Sequence, residues 1–155
     1  MIVRGDAAFC THSTVTAALT AGAWFSFTIA HWPTVTAAIA KIPEDAWTPI
    51  TYPNAIADPT TGELVSDAHV AEVPFTVFTS RKTGQQVACR LVVRRVKRLN
   101  GNAKTGQDTL FATWRYHAFI TNSTLNTTDA DVEHRQHAVV DYLDVGVMPM
   151  LCGSA

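Results

Sequence analysis

The spacing of apolar residues changes along this chain, and each rhythm predicts an element. Residues 13–22 (STVTAALTAG) put Val15, Ala18 and Leu19 on one helical face, and Gly22 is a natural helix stop. Residues 24–30 (WFSFTIA) alternate, with Trp24, Ser26 and Thr28 against Phe25, Phe27 and Ile29, which predicts a strand. Ile2 and Val3 read as the end of an earlier buried strand, so the chain opens strand, helix, strand. That connection is long enough to set the two strands parallel. Pro33 suits the first turn of a second helix (PTVTAAIAKI) that stops before Pro43. From Glu44 to Thr61 the chain carries Pro49, Pro53 and Pro59 and reads as irregular.

A second pattern then takes over. Residues 68–79 and 85–99 are rich in β-branched side chains and flank Ser80-Arg81-Lys82-Thr83-Gly84, which predicts a hairpin. A polar stretch from Asn100 to Asp108 leads to another strand at 110–121. Thr128-Asp129-Ala130-Asp131 resembles a helix start with acids in its first turn, and the helix runs from Asp129 to about Leu143. Beyond Asp144 no period is visible. The fold class is therefore α/β (α+β), with an α/β opening at 1–46, a β-rich block at 47–115, a returning strand and helix at 116–143, and a divergent tail at 144–155.

Composition narrows the class. With 155 residues the chain has room for one domain with a real core. Charged residues make up 16% and hydrophobic ones 47%, a balance closer to the inside of a larger protein than to a small soluble domain. The formal charge of -1 gives no global basic signature. No apolar run reaches the roughly 18 residues of a membrane helix, and no basic-then-apolar leader is visible. Three widely spaced cysteines (Cys10, Cys89, Cys152), with no CxxC pair, fit reduced thiols and a cytoplasmic location.

Three sets of residues are candidates for chemistry. Asp6 follows the first strand, at the end where open α/β sheets gather ligands and metals; its simpler reading is a cap on the turn that follows. Arg81, Lys82, Arg90, Arg94, Arg95, Lys97, Arg98 and Lys104 concentrate positive charge in the second half, near Trp114 and Tyr116. They are either a phosphate-contacting surface or the solvated outer face of a hairpin. His134, His137 and Asp141 stand at i, i+3 and i+7, sharing one helical face that is either a zinc-binding set or a polar surface. Walker, GxSxG and GxGxxG motifs are absent.

Four stretches taken together resemble one family: VRGDAAF…AALTAGAWFSFT, AAIAKIPEDAWTPI, VSDAHVAEVPFTVFTS and GQDTLFATWRYHAFITNS…EHRQHAVV. The chain resembles bacterial insertion-sequence transposases of the DDE type, whose core is ribonuclease-H-like. The resemblance runs from about Ile2 to Val140 and implies a partial core interrupted by a β-rich insertion. It implies that Asp6 matches the second of three metal-binding acids and that the helix near 129–143 is the one bearing the third. The family pattern there is Tyr-x-x-Arg-x-x-x-Glu-x-x-x-x-x-x-Lys, and this chain has His134, His137, Asp141 and Met148 at those positions. Asp141 alone keeps a carboxylate.

In such enzymes two magnesium ions about 4 Å apart activate the attacking oxygen and stabilise the leaving one. Hard divalent ions need several oxygen ligands. The resemblance therefore implies Mg2+ at Asp6 and Asp141, DNA ends and target DNA as partners, and self-association with a full-length transposase. It begins at the strand of the second acid, so the chain reads as a C-terminal fragment that is catalytically inactive alone. The alternative from a different class is a non-catalytic DNA-binding module built on the basic hairpin.

Overall fold

The computed structural model describes residues 1–51, 56–57, 64–65, 68–97 and 114–144, with side chains placed in 1–51, 68–97 and 114–136. Arg98, Lys104 and Met148 lie outside the described residues, as do the side chains of His137 and Asp141. Strands β1 (Ile2–Gly5) and β2 (Trp24–Thr28) flank helix α1 (His12–Thr20). Helix α2 (Pro33–Ala40) and a 3-10 turn at Glu44–Ala46 lead to β3 (Thr48–Ile50). Short strands β4 (Ile56–Ala57) and β5 (Leu64–Val65) pair only with each other among the described residues. Then come β6 (Ala68–Val77), β7 (Val87–Lys97), β8 (Trp114–Thr121) and helix α3 (Thr127–Asp144).

The sheet has six strands in the order β1-β2-β8-β7-β6-β3. β1 and β2 are parallel, as the strand–helix–strand opening predicts; every other pairing is antiparallel. Strands drawn from 1–46, 47–115 and 116–143 therefore share one mixed sheet. The join is β2 on β8, with Ser26 opposite Thr121 and Thr28 opposite Phe119. Pro74 sits inside β6 opposite Arg90, yet β3 reaches only Ala68 to Val70 on the other side of that strand. A proline without an N–H is tolerated where one edge is unpaired.

α1 and α2 cover one face. Val15, Ala18 and Val35 meet Phe25, Phe27, Leu91, Val93, Ala118 and Ile120 in the main core cluster. Leu19, predicted on the buried face of α1, is 41% exposed. The helix is short, and only Val15 and Ala18 reach the sheet. Gly22 ends it at φ 64, and the Ala23 N–H bonds back to the Ala18 carbonyl at 2.9 Å, the left-handed closure that glycine permits. α3 covers the opposite face, where Ala130 joins Val70, Val92 and Phe119. It starts earlier than its acids predict. Asn126 is the cap, accepting the Asp129 N–H on Oδ1 at 2.8 Å while its own amide donates to Asp129 Oδ2 at 2.7 Å.

Candidate functional site

Gly5 ends β1 against Phe27. A methyl group there would lie 3.0 Å from the Phe27 ring and from Phe9 Cβ, so the residue is needed for close packing. The chain then turns at Asp6. Its Oδ1 accepts the Ala8 N–H at 2.8 Å, and its carbonyl accepts the Phe9 N–H at 3.1 Å. The capping role is real, and it does not exhaust the residue. Asp6 also borders a cavity of about 320 Å³ between the end of β1, the segment after β2, strands β7 and β8, and α3.

The floor of that cavity is apolar, with Ile29, Ala118 and Phe119. Its polar lining comes from Asp6, Thr28, His31, Arg94, His117, His134 and Arg135. Asp6, His31 and His117 are exposed and form the rim. Behind the lining, Asp131 is 1% exposed and fully engaged: Arg94 Nη1 donates to its Oδ1 at 2.8 Å and Arg135 Nε to its Oδ2 at 2.9 Å. A buried carboxylate is stable only with such partners. His117 has its pKa held below the ordinary value, first by partial burial and then by the cations Arg94, Arg115 and His31; Asp131 alone acts the other way.

His134 stacks on Phe119 with ring centroids 4.1 Å apart and planes 6° apart. Its Nδ1 lies 2.7 Å from Ser26 Oγ and its Nε2 3.1 Å from Thr28 Oγ1. Both ring nitrogens are used by hydroxyls, which takes His134 out of the zinc-binding reading. Among the described residues no group of three metal-ligating side chains comes together. A hard divalent ion needs several oxygens, and among the described residues Asp6 is the one carboxylate lining this cavity. The described side chains alone do not make a magnesium site.

The described basic residues are divided among three places. Arg81 and Lys82 are exposed in the turn between β6 and β7. Arg90 and Arg94 point to the α3 face. Arg90 ion-pairs with Glu72 and donates to the carbonyls of Ser123 and Leu125, each at 2.7 Å. Arg95 and Lys97 alternate to the other face. Arg95 is 5% exposed, with its guanidinium 4.4 Å from the Trp47 ring and 4.3 Å from the Trp114 ring. It also binds both oxygens of Glu44, at 2.9 and 2.8 Å. Those hydrogen bonds hold the exposed Glu44 carboxyl below its ordinary pKa.

The two described cysteines, Cys10 and Cys89, offer no nucleophile. Burial raises the Cys10 pKa, and burial with Cys10 nearby pushes Cys89 up to about 12, so both stay protonated thiols. No helix among the described residues is long and apolar enough to cross a membrane.

No protein-family model matches the chain, and no curated protein is significantly similar to it. Sequence reasoning singled out Asp6, Arg94 and His134 and missed His31, His117 and Arg135 as their neighbours. One signal was available: His117 and Arg115 share the face of the strand at 114–121 that also carries Phe119.

Proposed function

We propose that this chain derives from a DDE-type insertion-sequence transposase with a ribonuclease-H-like core, and that it contacts DNA without cutting it alone. The observation that supports this reading is the position of Asp6. It stands at the carboxyl end of a strand, on the rim of a cavity that also presents arginine and histidine side chains, in the place where α/β sheets collect ligands. Its partners would be the element's DNA ends, the target DNA and a second transposase copy, in the cytoplasm. Inactivity rests on the donor set: among the described side chains one carboxylate lines the cavity, where the two-metal reaction needs several. In the family, magnesium would also require the carboxylate at the position of Asp141.

The test is supercoiled plasmid incubated with the purified chain and Mg2+, run beside a salt series of duplex binding. The expected result is binding that weakens steeply with salt and no nicking. Metal-dependent nicking abolished by Asp6→Asn defeats the inactivity. Binding indifferent to salt defeats the DNA reading.

A further inference from the structure

We propose that the His31–His117 end of this cavity binds a phosphate group directly, without a metal ion. This deepens the DNA-contact reading by naming the group contacted, and it rests on that reading only for the source of the phosphate. The two imidazoles come from different elements, His31 from the segment after β2 and His117 from β8, and both line the same cavity. Both are exposed, and neither ring is hydrogen-bonded to a described residue. Each can donate an N–H to an incoming oxyanion.

The charges around them favour an anion. Arg94 on β7, Arg115 on β8 and His31 act on His117 as cations. The acid acting on His117 is Asp131 of α3, already shared by Arg94 and Arg135. His134, also on α3, is occupied by Ser26 and Thr28. Partial burial is the first cause of the lowered His117 pKa, and these cations add to it. A phosphate has enough acceptor oxygens to take an N–H from each ring, and such a bond strengthens where the ring carries charge. Asp6 is the carboxylate that opposes it. The ligand therefore sits toward the two histidines, and neutralising Asp6 tightens it.

The experiment is an NMR titration of the histidine ring signals with inorganic phosphate at about pH 6, repeated at about pH 7.5. The expected result is saturable movement of His31 and His117 together, with weaker affinity at the higher pH, where His117, its pKa below the ordinary value, is the more fully neutral. His31→Ala and His117→Ala each weaken binding by roughly tenfold or more, and Asp6→Asn strengthens it. Both histidines are exposed and bond to nothing described, so their truncation leaves the fold intact. Signals that never saturate overturn the proposal, as does unchanged affinity in the double alanine variant.

A short duplex added to the phosphate-bound protein separates the sources. Displacement of phosphate by the duplex supports the site with DNA backbone as its ligand. Phosphate that binds and is not displaced supports the site and defeats the DNA reading alone. A duplex that binds with salt dependence, while phosphate leaves both rings unmoved, overturns the site and leaves the DNA reading standing.

Discussion

The two faces of one sheet are built on different chemistry. Toward α1 and α2 the strands present Phe25, Phe27, Leu91, Val93 and Ile120, each at most 1% exposed. Toward α3 they present Arg4, Ser26, Thr28, Arg90, Arg94, His117 and Thr121 beside a small apolar group around Val92 and Phe119. Apolar packing is non-directional, and any close fit serves. The polar face is held by specific pairs instead: Arg4 with Glu133, Arg94 and Arg135 with Asp131, and His134 with Ser26 and Thr28. A polar face cannot close as tightly, because every buried polar group must keep its partner. The cavity opens on that side. The apolar face makes the fold, and the polar face leaves room for chemistry.

Breaking each face in turn sharpens this contrast. Phe27→Ala should cost about 3–5 kcal/mol by leaving a void in the core. Asp131→Ala should cost a similar 3–5 kcal/mol by a different route, since it strands two largely buried guanidiniums. Denaturant unfolding of both, beside the double variant Arg94→Met with Asp131→Leu, separates the routes. The double variant should recover much of the Asp131→Ala loss, because an apolar pair of similar volume can replace a buried ion pair. If it is as unstable as the single variant, the polar face is not held by that pair.

Gly5→Ala comes next, at about 1–3 kcal/mol, because its methyl would press on Phe27 and Phe9. A thermal melt equal to that of the parent would show that those rings yield freely. Asn126→Ala should cost about 1 kcal/mol through the lost cap of α3, with Asn126→Asp recovering most of it. The smallest effect is one of pH. His117 has a folded pKa below its ordinary 6.5, so the unfolded chain takes the proton first. Its contribution is fully present above about 6.5 and is lost as pH falls through the folded value. His117→Asn should therefore flatten the decline in stability with acid; parallel profiles for parent and variant would show that the ring carries no linkage.

Much of the fold was legible in the text of the chain. The alternation in 24–30, Pro33 at a helix start, Gly22 after a helix and the hairpin around 80–84 all correspond to observed elements. The short strands β3, β4 and β5 were not, since they fall in a stretch punctuated by prolines. Of the candidate site, Asp6 was legible because a strand end is a local feature. The basic cluster looked like one surface because sequence proximity hides alternation: Arg94 and Arg95 are neighbours in the chain and face opposite sides of the sheet. Arg95, packed between Trp47 and Trp114, is a structural clamp tying the turn at Glu44 to the sheet.

The sequence by itself determined the elements, because periodicity and turn residues act over a few positions. It also determined the parallel opening pair, because a helix-length connection leaves little other choice. Only the tertiary structure decided which polar residues meet. Asp131 pairs with Arg94 across 37 positions, and His134 reaches Ser26 across 108. Those meetings depend on strand register and on where α3 docks, and no local pattern encodes either. The cavity that gathers Asp6, His31 and His117 arises there, from three segments that share nothing in the sequence.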